Sequence, residues 1–467
     1  MGGFGYLFKS VRKNATVISA LSAITLASFI FSACSSDSTT AAPYNGLNSS
    51  MGSPEFQQNY MHLFYLYIDK DKYLRNPESY LGKVDTKALL DKVIPWDYHD
   101  IYYMYAQMND PYTYYVDPSR ALAQLSTWTS SEQKLDAGIE LDSAYIPEKY
   151  VVKKVIETSP ADRAGIKAGD EIVEIEGVAP KSIIVFNRLS EASKDDIITY
   201  TIKRNSTNLT IPVQIAPYHT STVELTFKDS IPVIKITEFI QETSNDSGTY
   251  GEFVRYLRAT ENYKTTIIDL RNNGGGDVSQ CLAMAQALLS KGDTAIGVIE
   301  TYADTIQKKQ AFDTTFYVND NDGAFNDRYF VFLANGYTAS CSEIMLTSVV
   351  TNKKYPIVGS TTYGKGIGQR SFLTKSYSMV SITNMKTLDK QGNTYHKYGI
   401  VPDFAILDDA IALNKAVALA KDQNYVRVAG YGTTNTGHFA KAALEPDSMP
   451  GFFYFSEEYS PKIKLTY

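Results

Sequence analysis

The stretch that decides the fold runs from residue 330 to residue 370 and reads FVFLANGYTASCSEIMLTSVVTNKKYPIVGSTTYGKGIGQR. Its first apolar run, Phe330 to Leu333, is too short for a free-standing helix and is followed by Asn335-Gly336, so it predicts a buried strand and a turn. The apolar periodicity of Ile344 to Val350 then predicts a helix. Ser340 therefore lies where a strand passes into a helix, and free N–H groups there favour a developing negative charge.

A second loop in this stretch carries Lys365 between two glycines, after a short predicted strand from Tyr355 to Gly359. A serine hydroxyl is a weak nucleophile and needs a base beside it. A lysine can be that base only if desolvation lowers its pKa from about 10.4 toward roughly 7–8. Gln369 could then hydrogen-bond the neutral amine and aim it without adding charge.

Taken singly, each of these residues has an ordinary structural explanation. Ser340 could simply cap a helix, and Lys365 could be a solvated loop residue. Lys365 follows Ser340 by 25 positions, and Gln369 follows Lys365 by four. The order, the spacing and the flanking glycines together favour a catalytic pair.

These residues resemble those of the carboxyl-terminal processing proteases, also called tail-specific proteases, which are serine peptidases with a Ser-Lys dyad. In that family the nucleophile lies in a Ser-Ala-Ser-Ala-Ser-Glu-Ile-like segment, and the lysine follows in a Gly-Lys-Gly loop. The resemblance implies that Ser340 is the nucleophile, that Lys365 is its base and that Gln369 orients the lysine. Cys341 stands where the family usually has a small residue, and its backbone N–H is expected to be one oxyanion donor.

A second motif, Asp269 to Gly276, reads DLRNNGGG and lies between a predicted strand, Thr265 to Leu270, and a predicted helix, Val278 to Leu289. It resembles another segment of the same family. No Gly-Lys-Ser/Thr follows the glycines, which argues against a phosphate-binding loop. The resemblance implies that one of the three glycines supplies the second oxyanion donor, and we favour Gly275.

Strands alternate with helices between residues 218 and 422, which predicts an α/β catalytic core with a largely parallel sheet. Residues 135–217 resemble a PDZ domain, on the evidence of Ser159-Pro160-Ala161 and of Ala164-Gly165-Ile166. PDZ domains bind the carboxyl end of a peptide as an added strand. Gly138 and Ile139 would then offer N–H groups to that carboxylate; the alternative is a small β-rich spacer.

The region before the PDZ domain is predicted to be largely helical, with helices over Thr86 to Val93 and from Asp97, as N-cap, to Met108. It ends at Asp110-Pro111-Tyr112-Thr113, which resembles a family segment; aromatic clusters of this kind are more often core than site. The predicted organisation is a lipoprotein signal segment (1–34), a linker (35–55), the N-terminal helical region (56–134), the PDZ domain (135–217), the protease core (218–422) and a C-terminal tail of unknown role (423–467).

The first 34 residues have the features of a targeting segment, with a basic start and an apolar run from Val17 to Phe31 that is short for a membrane span. Phe31-Ser32-Ala33-Cys34 resembles a bacterial lipoprotein signal, in which Cys34 becomes lipidated and anchors the protein to a membrane. The alternative is an ordinary secretory peptide cut after Ala33. Either way we expect the protein in the bacterial cell envelope, and as a lipoprotein it would face the periplasm or the cell surface.

The composition of the chain limits the kinds of molecule that it is expected to bind. The net charge of −6 argues against nucleic acid, which needs a basic face. None of the five histidines lies in a metal-ligand spacing, so we expect no metal and no cofactor, although a Ser-His-Asp triad could still form from distant positions. Besides Cys34, the cysteines are Cys281 and Cys341, which we expect to be unpaired thiols. The sequence does not indicate an oligomeric state.

The function predicted from the sequence is that of a serine endopeptidase. It would cleave proteins or peptides, near their exposed carboxyl ends, through an acyl-enzyme. The alternative is a catalytically inactive envelope scaffold whose PDZ domain binds peptide carboxyl ends. The presence together of Ser340, Lys365 and Gln369 favours the enzyme.

Overall fold

The computed structural model describes residues 52–84, 94, 96–146, 148–244, 247–352 and 355–425. The predicted lipoprotein signal with Cys34, most of the predicted linker, the predicted helix from Thr86 to Val93 and all but the first three residues of the predicted tail lie outside these ranges. Within them, no helix combines the length and apolar character that crossing a membrane requires.

The N-terminal region is helical and packs onto the core through aromatic side chains. Its elements are α1 (Pro54–Leu66), α2 (Lys70–Tyr73), α3 (His99–Ala106), α4 (Pro118–Thr129), β1 (Tyr114–Val116) and β2 (Gln133–Lys134), with 3₁₀ turns at Pro77–Ser79 and Trp96–Tyr98. Buried Phe56, Tyr105 and Tyr115 share one cluster with Val380 and Ile382, which belong to the predicted protease core. The prediction of Asp97 as an N-cap was wrong: Asp97 lies inside the second 3₁₀ turn, and Tyr98 precedes α3.

The next region is a five-stranded antiparallel sheet with two short helices. These are β3 (Ile139–Leu141), β4 (Tyr150–Val155), α5 (Pro160–Ala164), β5 (Glu171–Ile175), α6 (Ile183–Leu189), β6 (Ile197–Arg204) and β7 (Thr207–Gln214). The strands are ordered β3-β4-β5-β6-β7, so β3 is an edge strand. Ser159 accepts a hydrogen bond from Asp162 N at the start of α5, and Gly165 ends that helix in the left-handed conformation.

The region predicted to be the protease core follows. Its elements are β8 (Tyr218–His219), β9 (Val223–Lys228), β10 (Ile231–Ile236), α7 (Gly248–Ala259), β11 (Thr265–Asp269), α8 (Val278–Leu288), β12 (Thr294–Asp304), β13 (Lys309–Val318), β14 (Tyr329–Ala334), α9 (Cys341–Asn352), β15 (Ile357–Gly359), β16 (Ile367–Leu373), β17 (Met379–Leu388), β18 (Phe404–Ala405) and α10 (Asp409–Asp422). The pairing of β2 with β8 brings together the two chain segments that lead into and out of the five-stranded sheet.

A six-stranded sheet forms the centre of the core, in the order β18-β15-β14-β11-β10-β9. Its pairings are parallel except for that of β9 with β10. Successive side chains of a strand point to opposite faces. Ile268 and Phe332 accordingly pack against α7, α8 and α9, while Ile267 and Val331 pack against α10. Both faces of the sheet are covered at its centre, which explains why β14 and β15 consist of apolar residues that are almost all buried.

A second core sheet is antiparallel. Strands β1, β17, β12 and β13 pair in that order, and β16 pairs with β17. The prediction of a largely parallel sheet therefore describes only the six-stranded sheet, and the core as a whole is mixed. The sequence analysis did not predict β12, β13 or β16. Strand β13 is mostly exposed and the apolar alternation of all three is incomplete, so their periodicity is weak.

Candidate active site

Ser340 lies in the turn between β14 and α9, directly before the first residue of the helix. Its φ of 54° is in the left-handed region, which a serine adopts at a cost in conformational energy. The backbone N–H of Ser340 donates to the Glu343 side chain at 2.9 Å. Glu343 is the third residue of α9, so the helix itself supplies the acceptor for this N–H group. The side chain lies in a nearly closed site, since Ser340 is only 8% exposed.

The glycine loop, residues 274–276, lies against this turn. A Cβ placed on Gly275 would be 2.8 Å from the Cβ of Ser340 and 3.1 Å from the Cys341 nitrogen, so only glycine fits there. Asn273 joins the two segments, because its carbonyl accepts from Ala339 N at 3.0 Å and from the Ser342 hydroxyl at 3.1 Å. The Asn273 side chain accepts from Gly275 N at 2.9 Å. The N–H of Gly275, predicted as an oxyanion donor, is thus engaged within the loop.

Lys365 is buried, with 1% of its surface exposed, and its amine donates to Gln369 Oε1 at 2.9 Å. The Gln369 amide nitrogen in turn donates to the Thr383 hydroxyl at 3.0 Å. Because Thr383 takes the nitrogen side of this amide, the oxygen side is directed at the lysine. The structure therefore brings together Lys365 and Gln369 as the sequence spacing predicted.

One aromatic ring and two acidic residues act on the Lys365 amine. The ring centroid of Tyr112 lies 4.1 Å from the amine nitrogen. Burial lowers the pKa of Lys365 well below its usual value, and the negative charges of Asp110 and Glu343 oppose this shift without reversing it. A neutral amine, the form that can act as a base, is therefore favoured at a lower pH than in solution.

Glu343 connects the turn that holds Ser340 to the loop that holds Lys365, and the sequence analysis did not single it out. Its carboxylate accepts from the Ser340 and Lys365 backbone nitrogens at 2.9 and 2.8 Å, and from Gly364 N and the Thr362 hydroxyl at 2.7 and 2.5 Å. Burial raises the pKa of Glu343 to about 7, although these four donors lower it. One signal was present in the sequence: Glu343 is a lone acid at the start of a helix that is otherwise apolar or neutral.

Cys341 is joined to Cys281 by a disulfide, which corrects the prediction of two unpaired thiols. The two residues are 60 positions apart, and their Cα atoms are 5.7 Å apart. Cys341 is the first residue of α9 and Cys281 lies in the first turn of α8. Sequence separation gives no information on the distance between two helix ends, so the pairing could not be predicted. The backbone N–H of Cys341, at the helix start, has no acceptor within its own helix.

The predicted peptide-binding residues lie in the five-stranded sheet. Gly138 has a φ of 76°, and a Cβ there would be 2.1 Å from the Cβ of Ser159, so a glycine is required. Its N–H donates to the Asp136 carboxylate at 2.6 Å and is thus occupied in the structure. Ile139 is the first residue of β3, the edge strand of this sheet.

No cluster of histidine, cysteine, aspartate or glutamate in the described ranges could hold a metal ion.

Comparison with known proteins agrees with this architecture. Residues 230–406 match the model of peptidase family S41, and residues 151–204 match the model of the PDZ domain. A probable CtpA-like serine protease of Staphylococcus haemolyticus is 26% identical over 72% of this chain and 66% of its own length. A protein of the same description from Staphylococcus aureus strain N315 is 27% identical over 85% of this chain and 72% of its own length.

A solved photosystem II D1 C-terminal processing protease is 22% identical, with a TM-score of 0.45 over 77% of this chain and 94% of that one. The matches to family models define a serine-type peptidase of family S41 with a PDZ domain inserted before its core. These matches, and the similarity to the CtpA-like serine proteases, support the resemblance of the chain to the carboxyl-terminal processing proteases. The match spans just under two thirds of the length of the S. haemolyticus relative.

Proposed function

We propose that this protein is a serine endopeptidase in which Ser340 is the nucleophile and Lys365 its general base. The observation that supports this most strongly is the buried amine of Lys365, oriented by Gln369 at 2.9 Å, in a loop that shares the Glu343 carboxylate with the nucleophile turn. Burial gives the amine the lowered pKa that a base needs. The shared carboxylate holds the two loops in a fixed relation.

In the proposed acylation step, the Ser340 oxygen attacks the peptide carbonyl while its proton moves to the neutral amine of Lys365. The amine then passes this proton to the departing nitrogen, and water later hydrolyses the acyl-enzyme by the same route. The amine is an ammonium ion in between. The face of the Tyr112 ring, 4.1 Å away, stabilises that charge without forcing it on the resting enzyme.

Two backbone N–H groups would donate hydrogen bonds to the developing oxyanion. The Cys341 N–H is directed outward from the start of α9, where the helix itself offers no acceptor. Gly275 remains our proposed second donor: its N–H would exchange its bond with the Asn273 side chain for one with the oxyanion. A Cβ on Gly275 would be 2.8 Å from the Cβ of Ser340, so this part of the loop lies close to the proposed nucleophile.

The proposed substrates are proteins or peptides that present a carboxyl end. The edge strand β3 can accept a peptide as an additional antiparallel strand, with Ile139 at the end where PDZ domains bind the terminal carboxylate. Gly138 would take part only if Asp136 released its N–H. Cleavage near the carboxyl end of such substrates is part of this proposal.

We place the protein in the cell envelope, held at a membrane by lipid on Cys34. The disulfide between Cys281 and Cys341 supports a location outside the reducing cytoplasm, where such bonds persist. Intact mass measurement of the mature protein would test the anchor, because a lipidated Cys34 at the amino terminus has a distinct mass.

The catalytic proposal is tested with an unfolded reporter protein carrying a free carboxyl end. We expect cleavage by the unmodified enzyme and at least a thousandfold lower rates for Ser340→Ala and Lys365→Ala. Exposed Lys375→Ala, on the turn between β16 and β17, is the control and should keep the full rate. Equal rates in Ser340→Ala and the unmodified enzyme would refute the dyad, whereas binding of peptide ends without turnover would favour the inactive scaffold.

A further inference from the structure

The disulfide between Cys281 and Cys341 occupies an unusual position relative to the proposed chemistry. Helix α8 begins immediately after the glycine loop and Asp277, and Cys281 is its fourth residue. Helix α9 begins immediately after Ser340, and Cys341 is its first residue. The covalent bond thus joins the first turns of two helices. One of these helices follows the loop that holds Gly275, and the other begins at Cys341, so both proposed oxyanion donors lie close to the bond in sequence.

Both cysteines are fully buried in the main hydrophobic cluster of the core. Cys341 Sγ lies 3.2 Å from the carbonyl oxygen of Asp277, the residue that caps α8. Two buried thiols would pack adequately in such a place as small apolar groups. The bond adds a fixed distance between the two helix starts, which packing alone does not impose.

We propose that this disulfide positions the two oxyanion donors relative to one another, so that full turnover requires the oxidised protein. The inference rests on the proposed function and goes beyond it, since it assigns a role in turnover to Cys281, which touches no substrate. Catalytic geometry is sensitive to small displacements: misplacing a group by 1 Å can cost about a hundredfold in rate. The hydrogen bonds from Ala339 and Ser342 to Asn273 also join the two segments, so we expect a partial loss when the bond is absent.

The redox step has a simple balance. On oxidation, the two thiols lose two protons and two electrons to an acceptor such as another protein's disulfide, and one sulfur–sulfur bond forms. A water-soluble phosphine reverses this reaction. The phosphine takes the oxygen of one water molecule and becomes a phosphine oxide, and the two hydrogens of that water end on the thiols.

The test uses the full chain in detergent, with disulfides mapped by mass spectrometry of unreduced peptides. We expect a linked pair of peptides containing Cys281 and Cys341. The variant Cys281→Ala/Cys341→Ala should show kcat lower by about tenfold with KM within twofold, because the peptide-binding surfaces are unchanged. The control is Met284→Leu, a volume-conserving change at a buried residue of α8, the helix that holds Cys281. This variant should keep both kcat and KM.

A second measurement guards against a misfolded variant. Unmodified enzyme reduced by the phosphine should lose the same fraction of kcat while its circular dichroism is kept, and reoxidation should restore the rate. The inference is overturned if active enzyme carries two free thiols, or if the double-alanine variant and the reduced enzyme keep full kcat. If the oxidised unmodified enzyme cleaves no reporter at all, the proposed function itself fails and this inference fails with it.

Discussion

The fold isolates the Lys365 amine from water, and this burial should make activity depend on pH. Burial lowers its pKa, so the charged form is lost at a lower pH than for a free lysine. Only the neutral amine accepts a proton. Activity should therefore rise as pH increases through the lowered pKa and fall as the amine becomes protonated below it.

The measurement is kcat/KM for the reporter across about pH 6 to 9, a range in which an unperturbed lysine hardly titrates. Lys365→Arg keeps the charge but cannot deprotonate in this range, so it should be inactive throughout. A flat profile for the unmodified enzyme, or an active arginine variant, would argue against a lysine base.

Glu343 gives a second prediction for a single residue. Glu343→Gln keeps the shape but directs an NH₂ group at backbone N–H donors, leaving at least one of four buried donors without an acceptor. A buried unsatisfied group costs about 1–3 kcal/mol, so we expect this loss in the free energy of unfolding. We also expect at least a tenfold loss of kcat, because both catalytic loops depend on this carboxylate.

Denaturant unfolding and reporter kinetics, measured side by side, check the Glu343 prediction. The exposed Glu224→Gln is the matched control and should change neither. If Glu343→Gln is as stable and as active as the unmodified enzyme, the carboxylate does not hold the two loops together.

The sequence identified the candidate residues whose type and spacing indicate a reaction. It did not identify residues whose contribution depends only on their position in the folded protein. Ser340, Lys365 and Gln369 stand at informative spacings, and the structure brings the last two into hydrogen-bond contact. Tyr112 was predicted to be a core residue, because the sequence of an aromatic cluster does not show which group contacts each ring. That contact depends on how distant segments pack, which no local pattern encodes.

At the scale of elements, the glycine loop offers the sharpest test of the site's geometry. Gly275→Ala introduces a Cβ 2.8 Å from the Cβ of Ser340, which must move. We expect kcat/KM to fall at least a hundredfold. Gly292 also has a positive φ, of 83°, but a Cβ there meets nothing within 4 Å.

Gly292→Ala therefore reports the cost of the backbone conformation alone, about 1–2 kcal/mol. It should retain activity while losing that much stability. Reporter kinetics and thermal unfolding of both variants separate the two effects. Equal activity in Gly275→Ala and Gly292→Ala would show that the loop does not touch the nucleophile.

The strongly patterned elements were predictable, and the weakly patterned ones were not. The strands β11 and β14 and the helix α8 fall within a residue or two of the predicted bounds. The hairpin of β12 and β13 was missed because one of its strands is mostly exposed and lacks regular alternation. The start of α3 was misplaced because a 3₁₀ turn precedes the helix and takes up the expected cap.

On the scale of the whole molecule, the site draws on two regions of the chain. The core supplies the serine and the lysine, and the N-terminal region supplies Tyr112, which lies over the amine. The PDZ domain connects to the core through β2 and β8, and its edge strand β3 is the proposed binding strand for a peptide. Because the proposed peptide-binding strand and the proposed catalytic residues lie in different domains, recognition of the substrate's carboxyl end should affect KM without affecting kcat.

Two reporters that differ only in the terminal group test that prediction. A free carboxylate should give a KM several-fold lower than a terminal amide, with kcat unchanged, because the carboxylate binds to the PDZ domain and not to the catalytic residues. A short peptide with a free carboxyl end should compete only with the first reporter. Identical KM values for both reporters would contradict recognition of the carboxyl end.

The most direct test of the central claim is mass-spectrometric mapping of the acyl-enzyme, trapped by rapid acid quench during turnover of a peptide ester. We predict an acyl group on Ser340 in the unmodified enzyme. It should form at least a thousandfold more slowly in Lys365→Ala and be missing from Ser340→Ala. An acyl group on another residue, or equal rates of acylation with and without the Lys365 amine, would contradict the account.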